Sequence, residues 1–389
     1  MKKPIRSILQ IAVLVDTSGA YGRGLVRGIS RFATEHGPWS LYLEPRDLRS
    51  EYPDWLQHWP GHGILARSGT GPLLQRLQES GLPVVELRAS RLPHPFPFVG
   101  VDNATVGAGV ADYLQSRGYR NFGAYLDPSE EYFRQRIEVF QSVLAQSGYP
   151  CSVFGAFSDG ERPRWDEHQN ALARWLVGLP KPAAVFACND QLGFWLLDAA
   201  RRAGVAVPGE LAVIGAGNDE MLCNAAVPSL SSVELPGDDV GYAAAKLLFE
   251  WIQSGKPQPP IREILLPPGQ VVPRVSSDAV AITDARLSYA LQYIREHALG
   301  PLCVEEVARA SSLSRSALER KMRATLARTP LEEIHRVRFA LVEKLLLQTD
   351  LTLEQIAERT GFEYPQYMAE AFRLRTGMTP GRFRARRKT

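Results

Sequence analysis

The last hundred residues carry one short pattern twice. Residues 304–322 read VEEVARASSLSRSALERKM and residues 352–372 read TLEQIAERTGFEYPQYMAEAF. In each copy an acid-bearing turn leads to Val307-Ala308 or Ile356-Ala357. A small or turn residue follows, and then a second helix of apolar and basic positions. Ala308 and Ala357 are small enough to let two helix axes approach, and Gly361 supplies the positive φ of a tight turn. Ser312 takes that place in the first copy, a less favourable choice. Two helix-turn-helix units are therefore expected.

The second helix of each unit is the expected reader. Ser314 reads as the N-cap of a helix from Arg315 to Arg323. Leu318 and Met322 face inward at i, i+4, which leaves Arg315, Ser316, Glu319, Arg320 and Arg323 exposed. In the second unit Met368 and Phe372 face inward, and Tyr364, Gln366, Tyr367, Glu370 and Arg373 are exposed. Pro365 suits a first helical turn. Between the units, residues 330–347 repeat apolar side chains at helical spacing: Leu331, Ile334, Val337, Leu341 and Leu345. One long helix there would hold two readers about 34 Å apart, the spacing of successive major-groove turns.

Charge supports a nucleic-acid partner over a merely solvated face. Residues 284–389 hold 19 Lys+Arg against 13 Asp+Glu, a net of +6, while the rest of the chain is net −3. The basic excess thus lies wholly in the proposed reader, where phosphates need neutralising. The tail 382–388, RFRARRK, is the densest part; it reads either as a loose tail or as a phosphate contact. Base contacts are expected from Ser316, Glu319 and Arg320 and from Gln366, Tyr367 and Glu370. Arg320 suits guanine and Gln366 adenine. Glu370 suits cytosine or pairs with Arg373.

At this point the resemblance is specific. Residues 338–362 (RFALVEKLLLQTDLTLEQIAERTGF) and 371–384 (AFRLRTGMTPGRFR) resemble the DNA-binding domain of the AraC/XylS family of transcriptional regulators. The likeness covers roughly residues 284–389.

At 389 residues the chain is too long for one core, so two or three domains are expected. Residues 1–275 alternate strand and helix signals, the mark of a doubly wound, mostly parallel α/β sheet. Strands are expected at 8–15, 63–66, 84–87, 122–126, 183–187 and 211–215. Helices are expected at 107–117, 132–148, 191–203 and 238–254, with a glycine-rich turn entering a helix over 18–33. Ligands in such sheets sit at the strand carboxyl ends. The turn SGAYGRG at 18–24 lacks both G-x-G-x-x-G and G-K-[ST], so it reads as a small-molecule-lining loop and not a nucleotide cradle. No nucleophile elbow, metal cluster or phosphate loop argues for an enzyme, and no cofactor is implied. The four cysteines have no short spacing, so neither zinc nor a disulfide framework is indicated, and a reducing cytoplasm is expected. The start, MKKPIRSILQIAVLV, is basic then apolar. It runs into Asp16 without a small-x-small cleavage pattern and reads as a buried strand. No stretch approaches a membrane span of about 20 apolar residues.

The pieces VGVDN (99–103), RQR (134–136), ACNDQ (187–191), VIGAGND (213–219) and PSLSSVE (228–234) resemble the sugar-binding core of LacI/GalR regulators and periplasmic binding proteins. The resemblance implies two lobes with crossovers near 101, 233 and 265, a short linker at 276–283 and a reader domain at 284–389. It implies a small sugar, a pentose such as xylose, bound between the lobes. Closure would then alter binding of promoter half-sites on double-stranded DNA. A homodimer and contact with RNA polymerase accompany that reading, with no membrane partner. A sensor that has lost or changed its ligand is the alternative, and the sequence does not choose between activator and repressor.

The residues that the resemblance implies for the sugar begin with Arg136, followed by Asn189 and Asp190 at a strand end. Asp102 and Asn103 lie at the first crossover, and Ser18, Tyr21 and Arg67 on loops of the first lobe. Arg suits paired hydroxyls and Asn or Asp a donor–acceptor pair. Each has a plainer role open to it. Asp190 and Asp102 can cap helices, Arg67 can pair across the lobes, and Arg134 can be a surface charge. One position departs from the family: where its members carry an Asp two residues after V-I-G, this chain has Gly217. Asp219, on the same loop, is a substitute.

Overall fold

In a computed structural model, the structure describes residues 8–44, 53–68, 71–88, 96–155, 164–257, 263–278, 284–326 and 328–385. They form two compact units, Met1–Asp278 and Ala279–Thr389.

The first unit is α/β. Its strands are β1 (Leu9–Leu14), β2 (Trp39–Leu43), β3 (Gly63–Ala66), β4 (Val84–Glu86), β5 (Phe98–Val101), β6 (Asn121–Leu126), β7 (Cys151–Gly155), β8 (Ala183–Ala187), β9 (Leu211–Gly217), β10 (Ser231–Glu234), β11 (Glu263–Leu266) and β12 (Val271–Val272). They make two six-stranded sheets, ordered β11-β5-β4-β3-β1-β2 and β12-β10-β9-β8-β6-β7. All recorded pairings are parallel except β10 with β12. The central strands read as continuous apolar runs because helices cover both faces: every residue of β3 and β8 is buried. Each sheet is the centre of one lobe. The chain passes between lobes after β5, after β10 and after β11, so three strand ends form the hinge.

The helices of this unit are α1 (Ala20–His36), α2 (Gly71–Glu79), α3 (Asn103–Ser116), α4 (Glu131–Gln146), α5 (Trp165–Gly178), α6 (Asp190–Arg202), α7 (Glu220–Ala225) and α8 (Gly237–Ser254). The glycines at the start of α1 serve packing. A Cβ on Gly28 would lie 1.9 Å from the Asp238 carbonyl oxygen, and one on Gly241 2.1 Å from that of Leu25, so α1 and α8 meet backbone to backbone.

The second unit is all helical: α9 (Ala285–His297), α10 (Val304–Ala310), α11 (Arg315–Leu326), α12 (Pro330–Gln348), α13 (Leu353–Arg359), α14 (Pro365–Thr376) and α15 (Pro380–Ala385). It has two cores. One joins Leu291, Ile294, Val307, Leu318, Met322 and Ile334; the other joins Phe339, Val342, Leu346, Ile356, Met368 and Phe372. Helix α12 contributes to both and so ties them together. It starts at a capping box, in which Thr329 accepts from the Glu332 N–H and Pro330 takes the first turn.

Three expectations need correction. The buried face of α12 is Ile334, Phe339, Val342 and Leu346, whereas Leu331 is 52% exposed. Ile334 lies inward as expected, Val337 and Leu345 pack half-buried against the two cores, and in the second half of the helix the fully buried positions fall one residue later than the expected series. The linker does not begin at 276. Ser276 and Ser277 are fully buried in the first unit, stitched to Ser231 and Val213, and the remaining linker residues 279–283 lie outside the described residues. Of the basic tail, Arg382 and Arg384 belong to α15, Arg384 donating to the Leu351 carbonyl; residues 386–388 lie outside the described set.

Among the described residues no helix is long and apolar enough to cross a membrane.

Candidate functional site

The first site is the cleft between the lobes. It encloses about 210 Å³ and is walled by the carboxyl ends of strands from both sheets. Ser18, Tyr21, Arg67, Arg136, Asn189, Asp190 and Asp219 all line it. Asp102 does not. It starts α3, accepting from the Thr105 N–H at 3.0 Å and the Thr105 hydroxyl at 2.6 Å, because an acid immediately before a helix finds free N–H groups closer than any ligand. Its neighbour Asn103 takes the wall position instead.

Arg136 is 4% exposed although it carries a guanidinium. Its Nε donates to Asn103 Oδ1 at 2.9 Å and its Nη1 to the Cys188 carbonyl at 2.8 Å. Those two neutral acceptors fix its plane and lay it against the faces of Tyr132 and Phe133, 5.5 and 5.7 Å away. Burial pulls its pKa below the ordinary arginine value, so a ligand offering acceptors gains from meeting it. Arg134, two residues earlier, turns back to the Pro128 carbonyl. On the first lobe Arg67 pairs with Asp16, on its own side of the cleft, and lies over the rings of Tyr21 and Tyr132. Burial pushes both phenols up to about 12, so each stays protonated and able to donate.

Asn189 is the N-cap of α6, accepting from the Leu192 N–H at 2.8 Å. Asp190 is thereby released from capping. Its Oδ1 accepts from the Ser232 hydroxyl and its Oδ2 from the Asp219 N–H, and burial pushes its pKa up to about 6. Gly217, beside it, has φ +137°, and a Cβ there would stand 2.8 Å from Asp190 Oδ2. The departure from the family pattern thus matches the backbone, because an L side chain in this conformation would be strained and would press on Asp190.

Asp219 lines the cleft with both carboxylate oxygens already engaged by protein donors. Its Oδ1 caps α7 through the Met221 N–H, and its Oδ2 crosses the cleft to the Ala20 N–H at 3.0 Å and to Arg23 at 3.2 Å. Helix α1 has Gly19 as N-cap, without a side-chain cap of its own. The opposite lobe supplies that cap. A second clasp joins Arg88 of the first lobe to Glu130 of the second, with Nε–Oε2 at 2.8 Å and both residues buried. Asp16, Arg88, Glu130, Tyr132 and Phe133 were not singled out from the sequence. Asp16 and Arg88 carried a signal, since each is a charge just past an apolar strand, as Arg67 is after β3.

The second site is the paired reader. Ser314 accepts from the Ala317 N–H at 3.2 Å, as an N-cap does. Ser316, Arg320 and Arg323 of α11 and Gln366, Tyr367, Glu370 and Arg373 of α14 are exposed. Arg315 and Glu319 are not free side chains. They pair with each other at 3.0 Å, and Arg315 also pairs with Glu305 of α10, since i, i+4 spacing of opposite charges brings them together. The tight turns have Ser312 at φ +54° and Gly361 at φ +72°. Arg338 of α12 donates to the Ala298 and Gly300 carbonyls, and the Gly361 turn packs on the same segment, so the second helix-turn-helix is seated on the residues that follow α9.

A periplasmic binding protein-like domain model matches residues 111–277, and a helix-turn-helix domain model matches residues 307–386. The xylose operon regulatory protein of Escherichia coli K12 is 28% identical over 383 residues, covering 96% of each chain. That of Haemophilus influenzae is 29% identical, covering 96% of this chain and 98% of the relative. The solved structure of the xylose-binding transcription activator XylR is similar with a TM-score of 0.80 and 26% identity, covering 98% of both chains. A LacI family regulator from Enterococcus faecium, solved with bound ribose, shares the fold of the first unit at TM-score 0.57 and 24% identity, over 70% of this chain and all of that one. Two-lobed sensor first and doubled helix-turn-helix second, the chain is an AraC/XylS-type DNA-binding transcriptional regulator with a LacI/GalR-type, periplasmic-binding-protein-like sensor.

Proposed function

We propose that a pentose of the xylose type binds in the interlobe cleft and that its binding modulates attachment to promoter half-sites. The observation that carries this reading is Arg136. It is a buried guanidinium held in plane by neutral acceptors, facing a monosaccharide-sized cleft with two protonated phenols beside it. Such a fork grips neighbouring hydroxyls, and the rings cover the apolar sugar face. The names of the full-length relatives support a pentose. The chain works in the cytoplasm as a homodimer, each protomer placing α11 and α14 in successive major-groove turns and engaging RNA polymerase at the promoter. In α11, Arg320 and Ser316 are the base-reading candidates, with Arg323 on phosphate; in α14 they are Gln366, Tyr367 and Glu370.

A second reading has one observation in its favour. Gly217 removes an acceptor beside Asp190, so the sugar accepted is not xylose itself. Titration calorimetry with D-xylose, D-ribose, L-arabinose and D-glucose separates the two. Tightest binding of D-xylose, lost in Arg136→Met, supports the first. Preference for another sugar supports the second, and silence from all four contradicts both.

A further inference from the structure

The loop Gly217-Asn218-Asp219 touches three places at once. Its last residue caps α1 of the opposite lobe, as described above. Its backbone meets the cleft, since the Asp219 N–H donates to Asp190 Oδ2 at 2.7 Å. Its middle residue points the other way. Asn218 Oδ1 accepts from Arg274 Nη2 at 2.8 Å, and the Asn218 N–H donates to the Ser232 hydroxyl at 3.0 Å, the same hydroxyl that donates to Asp190.

Arg274 is the first residue of the segment by which the chain leaves the sensor. Its Nη1 donates to the Leu230 carbonyl at 3.0 Å, and its backbone exchanges two bonds with the Ser231 hydroxyl. The next turn, Val275–Ser277, is fastened to the same strand end through Ser276 and Ser277. From Asp278 the chain runs on towards the reader domain.

Asn218 itself sits at φ +48°, the left-handed region that a non-glycine residue enters at a cost. Two side-chain partners, Ser232 and Arg274, hold it there. The loop therefore cannot shift at the cleft without loosening its hold on Arg274.

We infer that Asn218 and Arg274 are positioning residues that transmit the state of the cleft to the sensor's exit segment, and so to DNA binding. Resting on the sugar-responsive reading above, the inference adds the route by which the response leaves the cleft. Spatial continuity alone does not establish coupling, so the test measures coupling itself.

Asn218→Gly keeps the left-handed backbone, which glycine adopts freely, and deletes only the link to Arg274. Arg274→Gln deletes the link from the other side. DNA affinity is measured by anisotropy with and without D-xylose, and sugar affinity by calorimetry. The wild-type sugar effect, about 5- to 150-fold for switches of this kind, is expected to fall to within about twofold of unity in either variant. Sugar affinity stays within about threefold of wild type, and the double variant is no worse than the single ones. Full coupling in Asn218→Gly, or loss of sugar binding with it, overturns the inference. Amide exchange at Val275–Ser277 without any sugar supplies an independent reading. Faster exchange in Asn218→Gly is expected, and an unchanged rate overturns the inference even where D-xylose is not the effector. Absence of any sugar effect in wild type, with faster exchange in the variant, refutes the sugar reading alone.

Discussion

Asp219→Asn weakens one of the two clasps between the lobes while sparing most of the local structure. The carboxylate uses one oxygen to cap α7 and the other to cap α1 across the cleft, with Arg23 beside it. An asparagine has one acceptor atom where the carboxylate has two, and whichever way its amide is turned it sets an NH2 against an N–H donor. A hydrogen bond to a charged group contributes about 1.5–3 kcal/mol. The Arg23 pair adds roughly 0.2–1 kcal/mol, discounted because the Arg23 side chain is 40% exposed. The closed form should therefore lose about 2–4 kcal/mol relative to the open one, roughly a 30- to 700-fold change in their ratio. When closed molecules are the minor species without ligand, that factor passes to the apparent Kd of the sugar. Calorimetric titration with D-xylose and two other sugars is the assay. Every sugar should weaken by the same factor, because the change acts on closure and not on a hydroxyl contact. An unchanged Kd, or a loss confined to one sugar epimer, would refute the closure argument and return Asp219 to the list of direct ligands.

Burial pushes the Glu86 carboxyl up from its ordinary 4.5 to about 7, against hydrogen bonds from Ser68, Arg88 and Leu87. The folded form then holds a proton that the unfolded chain has released. Stability relative to Glu86→Gln should fall by about 1.4 kcal/mol per pH unit between roughly pH 4.5 and 7 and level off above; parallel urea-unfolding profiles for the two proteins would contradict this. In the reader, Ser312→Gly should stabilise the helical unit by about 1 kcal/mol, since it relieves a left-handed serine, and Gly361→Ala should destabilise it by at least as much. Thermal unfolding checks both signs. Arg320→Ala should weaken binding of the cognate site by about 1–3 kcal/mol and relax one base position; equal weakening on all sequences would make Arg320 a phosphate contact.

The parts of this molecule that were legible in its sequence are those where a period or a turn residue leaves a local mark. Gly361, the Val307-Ala308 and Ile356-Ala357 pairs and the inward Leu318/Met322 and Met368/Phe372 sets sit as their spacing requires. Strands β3 and β8 are short apolar runs ending at turn residues, and they lie within one residue of expectation. Other features depend on partners distant in the chain. Arg88 and Glu130 are 42 residues apart and Asp219 is 199 from Ala20, so no local pattern announces either clasp. Arg315 is exposed, at 61% for its side chain, as a helical wheel places it, and Glu319 is half-exposed beside it; what the wheel leaves out is Glu305 of the preceding helix, which pairs with Arg315. Asp102 was misplaced for the opposite reason: its nearest donors, on Thr105, were adjacent in sequence and outcompeted the cleft. Edge strands β2 and β7 escaped notice because their exposed residues break the buried-run signal.

Fluorescence anisotropy of a labelled promoter fragment, titrated with the full chain with and without D-xylose at several salt concentrations, bears most directly on the central claim. DNA affinity should fall steeply with salt, as phosphate contacts from the basic reader require, and should change by about 5-fold or more when sugar is present. Salt-sensitive binding that no sugar alters would leave a DNA-binding protein without a switch and contradict the account.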